Sequence, residues 1–320
     1  MTLTRLAILI SGEGSNMAAL LYASRLPRSP FEVVLVASNN PDAPGLALAG
    51  AEDIATWSCS HKGISREAFD GALHDALAVA APDMVALAGY MRLLTPGFVA
   101  RWRGRLINIH PSLLPAYPGL DTHKRALEAG DTQAGCTVHL VTDEVDSGEI
   151  LGRLPVAIRS CDTAASLAAR VRLAEHQLYS ATLAAYVSRH QDAGWIETEI
   201  DALVSKLPEV VRKTNHGSPG WAVGAGKAPK HFAILADRHH GEESIGLLVR
   251  AGGPDEMNSL IEADPMLYYW PKYYGAGGWL GLRLNHPDTD WEGVSDWLER
   301  SWHNCAPPRL TRLQRAAEDF

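Results

Sequence analysis

Short apolar runs alternate with amphipathic segments over the first 110 residues, and this alternation constrains the fold most strongly. The apolar runs are LAILI at 6–10, FEVVLVASN at 31–39, DMVALAGY at 83–90 and LINI at 106–109. Each run has the length of a strand and is bounded by turn-forming residues, whereas the segments between them have helical spacing. Fully apolar strands that alternate with helices predict a parallel sheet covered on both faces.

A second region begins near residue 190, where the composition changes. Stretches rich in aromatic residues and glycine are typical of antiparallel strands, and they lie at 221–236, 243–252 and 266–284. Helices are predicted at 199–207 and 290–307. We therefore predict two domains, a catalytic α/β domain over 1–193 and a small α+β domain with an antiparallel sheet over 199–320.

Composition and charge exclude several classes of protein. The chain has 320 residues, a formal net charge of -8 and 21% charged residues, which argues against a general nucleic-acid binder. Residues 201–320 contain 13 Lys and Arg against 16 Asp and Glu, a net charge of −3. The 4 cysteines are scattered and form no metal-binding pair. No apolar run approaches the roughly 20 residues of a membrane helix. We expect a cytoplasmic protein without a metal.

The turn ISGEGSN follows the first strand and precedes a predicted helix. Free backbone N–H groups and the positive end of a helix can hold a phosphate in this geometry. The turn matches neither the dinucleotide nor the nucleoside triphosphate motif. Gly14, Ser15 and Asn16 are therefore candidates for a phosphate site, although glycines here could also serve only a tight turn.

Polar residues within and after the strand LINI form the candidate catalytic site. Asn108 and His110 lie two residues apart, so their side chains project from one face of that strand. Asp146 follows the predicted strand CTVHLV, and the run from Met91 to Leu94 follows another strand. Because ligands of parallel sheets bind at the carboxyl ends of the strands, we expect these residues and the Gly14 turn to share one site.

Several of these residues also have a purely structural interpretation. His110 taken alone would more often be a core or capping histidine, and Glu175 fits a solvated helix face at least as well as a ligand contact. Cys136 and His139 are interpreted as buried strand residues. The aromatic residues of the second region are expected to form core packing more often than a ligand platform.

The motifs ISGEGSN, LAGYMRLL, INIHPSLLPAYPGLDTH and GCTVHLVTDEVDSGEIL together resemble the family of folate-dependent phosphoribosylglycinamide formyltransferases. The resemblance covers roughly residues 1 to 190 at the family's spacing. It implies a Rossmann-like, mostly parallel sheet and transfer of a formyl group from 10-formyltetrahydrofolate to the amine of 5-phosphoribosylglycinamide, a step of purine (IMP) biosynthesis. The co-substrate is 10-formyltetrahydrofolate, and no metal is implied.

The resemblance also implies a role for each matching residue. The catalytic residues are Asn108, His110 and Asp146. The residues that bind the ribonucleotide are Gly14, Ser15, Asn16 and Glu175. The residues that bind the folate are Arg66, Met91, Arg92, Leu93, Leu94, Asn108, Val141 and Asp146. The chain departs from the family at Asp121, where the family has a histidine, while His123 is retained.

The implied chemistry is a direct attack of an amine on a formyl carbon. A tetrahedral oxyanion develops and needs hydrogen-bond donors, which Asn108 and protonated His110 can supply. Asp146 can assist transfer of the amine proton, through water. No covalent enzyme intermediate is required.

Three other functions fit the sequence less well. A formyltetrahydrofolate hydrolase is the nearest alternative, but that family usually has a regulatory domain before the catalytic strand with which this chain begins. A transferase acting on a sugar nucleotide or a charged tRNA fits the phosphate turn less well. A binding protein with a vestigial enzyme conflicts with the intact Asn108, His110 and Asp146. The partners expected are small molecules, and a homodimer is compatible with the sequence.

The second region resembles the MmcQ/YjbR-like family. It shares that family's GK-x-FA strand, YYGxxGWxxL hairpin and terminal WLxxSW helix. The resemblance implies a compact unit of helices and an antiparallel sheet, without a defined activity. Nucleic-acid binding has been suggested for that family, but the acidic balance of this region does not favour it.

Overall fold

A computed structural model describes residues 3–224 and 228–312. Its contacts divide the chain into two compact units, Met1–Val187 and Ser188–Phe320. Among the helices of the described residues, none is both long and apolar enough to span a bilayer.

The first unit is built on a 7-stranded sheet with the order β3-β2-β1-β4-β5-β6-β7. Its strands are β1 (Thr4–Ile10), β2 (Phe31–Ser38), β3 (Thr56–Ser58), β4 (Met84–Leu87), β5 (Leu106–His110), β6 (Gln133–Leu140) and β7 (Ile150–Ala157). The first five strands are parallel, whereas β6 is antiparallel to β5 and β7 is antiparallel to β6. The predicted mostly parallel α/β sheet is confirmed.

Helices cover both faces of this sheet. They are α1 (Ser15–Ser24), α2 (Pro44–Ala51), α3 (Arg66–Ala80), α4 (Pro96–Arg101), α5 (Thr122–Glu128) and α6 (Ala164–Val187). Strand β1 shows why the apolar runs are continuous. Leu6 and Ile8 pack with residues of α1 and α6 in one core, whereas Ala7 and Leu9 pack with residues of α3 and α4 in another. Both faces of the strand are therefore buried.

The second unit contains a 6-stranded antiparallel sheet with the order β12-β13-β11-β10-β9-β8. Its strands are β8 (Val210–Arg212), β9 (Gly220–Val223), β10 (Lys230–Asp237), β11 (Ile245–Arg250), β12 (Tyr268–Tyr269) and β13 (Trp279–Arg283). Its helices are α7 (Ala193–Val204), α8 (Pro254–Ala263) and α9 (Trp291–Cys305). The predicted antiparallel sheet is thus present. Gly226 and Lys227 of the GK-x-FA pattern lie outside the described residues.

The predicted start of helix α7 was wrong. The helix begins at Ala193, because the Asp192 side chain accepts the N–H of Gly194 at 2.8 Å and caps the first turn. Its buried face consists of Ile196, Ile200 and Val204 at helical spacing. The capping aspartate in the sequence DAGWIETEI signals this start, and residue 199 lies inside the helix.

Candidate active site

Strand β5 carries Asn108 and His110, the two polar side chains at the centre of the site. The imidazole of His110 is 6% exposed, and its Nδ1 atom lies 3.3 Å from Oδ2 of Asp146. Its Nε2 atom lies 3.0 Å from the carbonyl oxygen of Tyr117. Both ring nitrogens therefore face oxygen acceptors, and only a doubly protonated ring can donate to both.

Asp146 reaches His110 by a route that the strand pattern did not indicate. The strand pattern predicts Asp146 at the same edge as the other strand ends, but β6 is antiparallel and ends beside the start of β5. The N–H of Val141 donates to the carbonyl of Leu106 at 2.9 Å. The loop after β6 then turns back, and the N–H of Gly119 donates to Asp146 Oδ2 at 2.8 Å. The residues meet as expected, but the reason for expecting it was wrong.

His139 is a buried strand residue, as predicted. It also contacts both Asn108 and Asp146, which the sequence did not indicate. It stands opposite Asn108 in the β5–β6 register. Its Nδ1 atom faces the carbonyl oxygen of Leu140 at 2.8 Å, so Nδ1 carries the proton of the neutral ring. Its Nε2 atom is then an acceptor for Asn108 Nδ2 at 3.1 Å, and it lies 3.7 Å from Asp146 Oδ1.

The electrostatic setting of His139 favours this neutral ring. Burial is the largest influence and lowers the pKa of His139, while the carbonyl of Leu140 and the Asp146 carboxylate act in the opposite direction. A neutral His139 holds one N–H of the Asn108 amide, and the second N–H makes no hydrogen bond within the part of the chain that the structure describes. The register of an antiparallel neighbour would have been needed to find this pair from the sequence.

The glycine-rich turn leads into helix α1 through a glycine in the left-handed conformation. Gly14 has φ 74 and directly precedes α1, whose first turn has no side-chain cap. A Cβ atom at Gly14 would lie 2.9 Å from Met17 Cε and 3.1 Å from Gly45 Cα. The backbone N–H groups at the start of α1 are thus available to an anion.

Asn16 and Glu175 meet although they are 159 residues apart in the chain. Asn16 Nδ2 donates to Glu175 Oε2 at 2.8 Å, and both residues are 8% exposed. Burial raises the pKa of Glu175, although the hydrogen bond from Asn16 opposes that shift. Glu175 is therefore not on a solvated helix face, which was its structural interpretation. It lies beside the glycine-rich turn.

Ser11 ties three strand ends together and was not identified from the sequence. Ser11 directly follows β1. Its Oγ atom accepts the N–H of Met91, which lies after β4, at 2.8 Å. The same hydroxyl donates to Oδ1 of Asn39, which follows β2, at 2.6 Å. This arrangement fixes the Met91–Leu94 run next to the glycine-rich turn. The residue type alone, a serine in a turn, gives no signal for such a role.

The Met91–Leu94 run is anchored at its other end by a buried carboxylate. Asp70 Oδ2 on α3 accepts the N–H of Thr95 at 2.7 Å. The guanidinium of Arg92 lies 4.6 Å from the centre of the Phe69 ring, and it donates to the carbonyl of Ser65 at 3.4 Å. Because Arg66 follows Ser65 directly, two cationic residues lie close together at this end of α3.

Exposed apolar side chains lie on the loops that follow β4, β5 and β6. Met91, Leu93, Leu120 and Val145 are 73%, 53%, 74% and 56% exposed. Leu94 and Val141 pack against the same core cluster beneath these loops. Apolar residues of this exposure around a polar site are typical of a ligand-binding surface.

The proline-rich turn and the unusual Asp121 complete the site. The peptide bond between Leu114 and Pro115 is cis. Asp121 is exposed, has φ 57 and precedes α5 without capping it through its side chain. The next imidazole, His123, has a buried Nδ1 that finds no hydrogen-bond partner among the residues of 3–224 and 228–312, and burial lowers its pKa. Among the described residues, no group of three or more His, Cys, Asp and Glu side chains could hold a metal.

Comparisons with known proteins agree with this geometry. A formyl transferase family model matches residues 4–183, and a YjbR model matches residues 205–304. Phosphoribosylglycinamide formyltransferase of Escherichia coli (strain K12) is 42% identical over 197 residues, which are 60% of this chain and 93% of that protein. The human trifunctional purine biosynthetic protein adenosine-3 is 44% identical over 180 residues, which are 56% of this chain but 18% of that protein.

Solved structures show the same relationship. The crystal structure of phosphoribosylglycinamide formyltransferase from Brucella melitensis has 51% sequence identity and a TM-score of 0.56, and the match covers 58% of this chain and 96% of that one. The family model covers more than half of the chain and includes β5, His110, Asp146 and Glu175. The chain therefore belongs to the formyl transferase family, and its relatives include phosphoribosylglycinamide formyltransferases.

Proposed function

We propose that this protein transfers the formyl group of 10-formyltetrahydrofolate to the amine of 5-phosphoribosylglycinamide in purine biosynthesis. The observation that carries the proposal is the cluster at the end of β5, where His110 lies 3.3 Å from Asp146 and Asn108 lies 3.1 Å from His139. The similarity to the Escherichia coli enzyme supports the same reaction.

The cluster supplies the groups that such a transfer requires. The amine nitrogen attacks the formyl carbon, and the carbonyl oxygen becomes an oxyanion. The free N–H of Asn108 donates to this oxyanion. Protonated His110 stabilises it through its positive charge, since both of its N–H groups face protein acceptors. The attacking nitrogen loses a proton to Asp146 through water. The bond between the formyl carbon and the folate nitrogen then breaks, and that nitrogen takes up a proton, which gives tetrahydrofolate and the formylated ribonucleotide.

The two substrates bind to different parts of the chain around this centre. The phosphate of the ribonucleotide binds at the Gly14 turn and the start of α1, with Ser15 and Asn16. The buried Glu175 carboxylate, held by Asn16, binds the glycinamide part. The folate ring lies against Val141 and the exposed apolar side chains of the Met91–Leu94 run. Arg66 and Arg92 supply cations for the carboxylates of its glutamate tail.

A substrate-dependence assay tests the proposal. The purified protein is given 10-formyltetrahydrofolate with and without phosphoribosylglycinamide, and formation of tetrahydrofolate is followed. Tetrahydrofolate should form only when the ribonucleotide is present. Folate turnover at the same rate without the amine would instead identify a formyltetrahydrofolate hydrolase.

Replacing Gly14 by alanine should weaken ribonucleotide binding. A non-glycine residue at φ 74 costs about 1–2 kcal/mol, and the new methyl group would push against the backbone of Gly45 at 3.1 Å. Steady-state kinetics should show a KM for the ribonucleotide raised about tenfold, with the KM for the folate unchanged. Gly50→Ala is the matched control, because a Cβ atom there meets nothing within 4 Å. Equal effects of the two substitutions would contradict the assignment of the turn.

Replacing Glu175 by glutamine should separate its effects on stability and binding. Because burial raises the pKa of Glu175, the folded state binds its proton more tightly than the unfolded state does. The wild type therefore loses stability as the pH rises from the ordinary value of 4.5 through the folded-state pKa. Denaturant unfolding should show that Glu175→Gln gains stability relative to wild type at pH 8, and less or nothing at pH 4.

The same variant should bind the ribonucleotide more weakly, because the amide lacks the negative charge. The buried histidines shift stability with pH in both proteins, so the difference between the two isolates Glu175. If the variant is more stable at pH 8 but its KM for the ribonucleotide is unchanged, Glu175 does not bind the ribonucleotide.

A further inference from the structure

A short turn between β5 and α5 holds both members of the catalytic pair, His110 and Asp146, through its backbone. We call residues 117–120 the Tyr117 turn. The carbonyl oxygen of Tyr117 faces His110 Nε2 at 3.0 Å. Two residues later, the N–H of Gly119 donates to Asp146 Oδ2 at 2.8 Å. The position of this turn therefore fixes the imidazole and the carboxylate relative to each other.

The backbone of the Tyr117 turn is strained at its first residue. Tyr117 has φ 55, in the left-handed region that large side chains rarely adopt. Such a conformation persists only where the surrounding structure holds it in place, and it is common at active sites. The turn therefore needs contacts from its surroundings to keep this conformation.

Asp131 and Arg125 supply these contacts. The hydroxyl of Tyr117 donates to Asp131 Oδ2 at 2.6 Å, and this hydrogen bond raises the pKa of Tyr117, so the hydroxyl stays protonated at neutral pH. The guanidinium carbon of Arg125 on α5 lies 5.2 Å from the centre of the Tyr117 ring. Its Nη1 atom donates to the carbonyl of Pro118 at 2.6 Å and to that of Leu120 at 3.2 Å. One side chain thus holds both the ring and the backbone of the turn.

We propose that Arg125 and Asp131 are positioning residues, which act on the catalytic pair through the Tyr117 turn. Among the described residues, neither makes a hydrogen bond or an ion pair with His110 or Asp146. They limit the motion of the turn, so its carbonyl and N–H groups stay within hydrogen-bond distance of the catalytic pair. The effect on catalysis rests on the proposed function, whereas the positioning itself is a property of the protein without substrate.

Loss of these contacts should lower the kcat of the full-length protein, with the KM of either substrate changed much less. Arg125→Met keeps an apolar stem but lacks the donors, and its kcat should fall about tenfold. Arg125→Lys keeps one donor and the charge, so its kcat should lie between those of Arg125→Met and wild type. Tyr117→Phe and Asp131→Ala break the same hydrogen bond. Each should lower kcat about fivefold, and the double variant no further.

Two substitutions elsewhere on the first unit are matched controls. Lys124 precedes Arg125 on α5, but its side chain is 67% exposed and lies 3.8 Å from Glu128. Tyr22 on α1 donates to Glu52 at 3.2 Å, a hydrogen bond of the same kind as that of the turn. Lys124→Met and Tyr22→Phe should keep kcat within about twofold of wild type. Losses in these controls as large as those in the turn variants would overturn the proposal.

Exchange of the His110 Nε2 proton with water measures the positioning without turnover. The proton is followed by NMR in the substrate-free protein and is assigned by its loss in His110→Ala. Its exchange should be about tenfold faster in Arg125→Met and about fivefold faster in Tyr117→Phe, because a looser turn releases the proton more often. The two controls should exchange at the rate of wild type. Unchanged exchange in both turn variants would overturn the proposal, even if their kcat falls.

The two measurements separate this proposal from the proposed function. A wild-type protein that transfers no formyl group would reject the proposed function, and the exchange rates would still show whether Arg125 and Asp131 hold the turn. Faster exchange with an unchanged kcat in a protein that does transfer the formyl group would overturn the positioning role in catalysis.

Discussion

His110→Ala and Asp146→Asn should each lower kcat by about 10²–10³-fold while the protein stays folded. The alanine variant removes the positive charge that stabilises the developing oxyanion. The asparagine variant removes the negative charge that lies 3.3 Å from His110 Nδ1 and the acceptor of the amine proton. Steady-state kinetics should show the loss in kcat, with the KM of either substrate changed much less, because the lost interactions form mainly in the transition state.

The loop after β6 offers a matched control for the charge change. Asp143→Asn removes a carboxylate three residues from Asp146, but Asp143 is exposed. Its kcat should stay within about twofold of wild type, since exposed charges contribute little. The double variant His110→Ala/Asp146→Asn should be about as impaired as the worse single variant, because the two residues act as a unit. Near-normal turnover in either single variant, or fully additive losses, would contradict the mechanism.

The part of this site that lies on one strand could be predicted from the sequence. Asn108 and His110 share a face of β5 because side chains alternate along any strand, whatever surrounds it. The parallel sheet also followed from local patterns, since fully apolar runs need cover on both faces. The Gly14 turn could also be predicted from the sequence, because a glycine between a strand and a helix signals a positive φ.

The role of Ser11 and the path by which Asp146 reaches His110 could not be predicted from the sequence, because both depend on long-range register. Ser11 acquires its role only because β2 and β4 flank β1 and bring Asn39 and Met91 to its hydroxyl. Asp146 depends on a loop that returns from an antiparallel strand, and no local pattern distinguishes β6 from a parallel strand. The start of α7 differs from these cases, because a local signal in the sequence, the capping side chain of Asp192, marks it.

Asn108→Ala should lower kcat by about 10²–10³-fold, since it removes the N–H donor to the oxyanion. His139→Leu should lower kcat about tenfold, because an Asn108 amide that has lost its partner must be fixed in place during the reaction. His139 thus acts as a positioning residue through the 3.1 Å contact between its Nε2 atom and Asn108 Nδ2. His74→Leu, a change of the same kind on α3, is the control and should leave kcat unchanged.

A double-variant cycle distinguishes this role from a general structural one. If His139 acts only by holding Asn108, His139→Leu should have no further effect on kcat in the Asn108→Ala background. An undiminished tenfold effect in that background would show that His139 supports the site in another way.

The pH dependence of kcat provides the second readout for His139. Protonation turns Nε2 from an acceptor into a donor and breaks the contact with Asn108. Because burial lowers the pKa of His139 below its ordinary value of 6.5, the neutral ring persists at and above pH 6.5. The contact, and the stability it provides, is lost only as the pH falls through the lowered folded-state pKa. His139→Gln can still accept from Asn108 through its amide oxygen without titrating. Its kcat should therefore fall less steeply on the acid side than that of wild type, and identical acid limbs would exclude this role for His139.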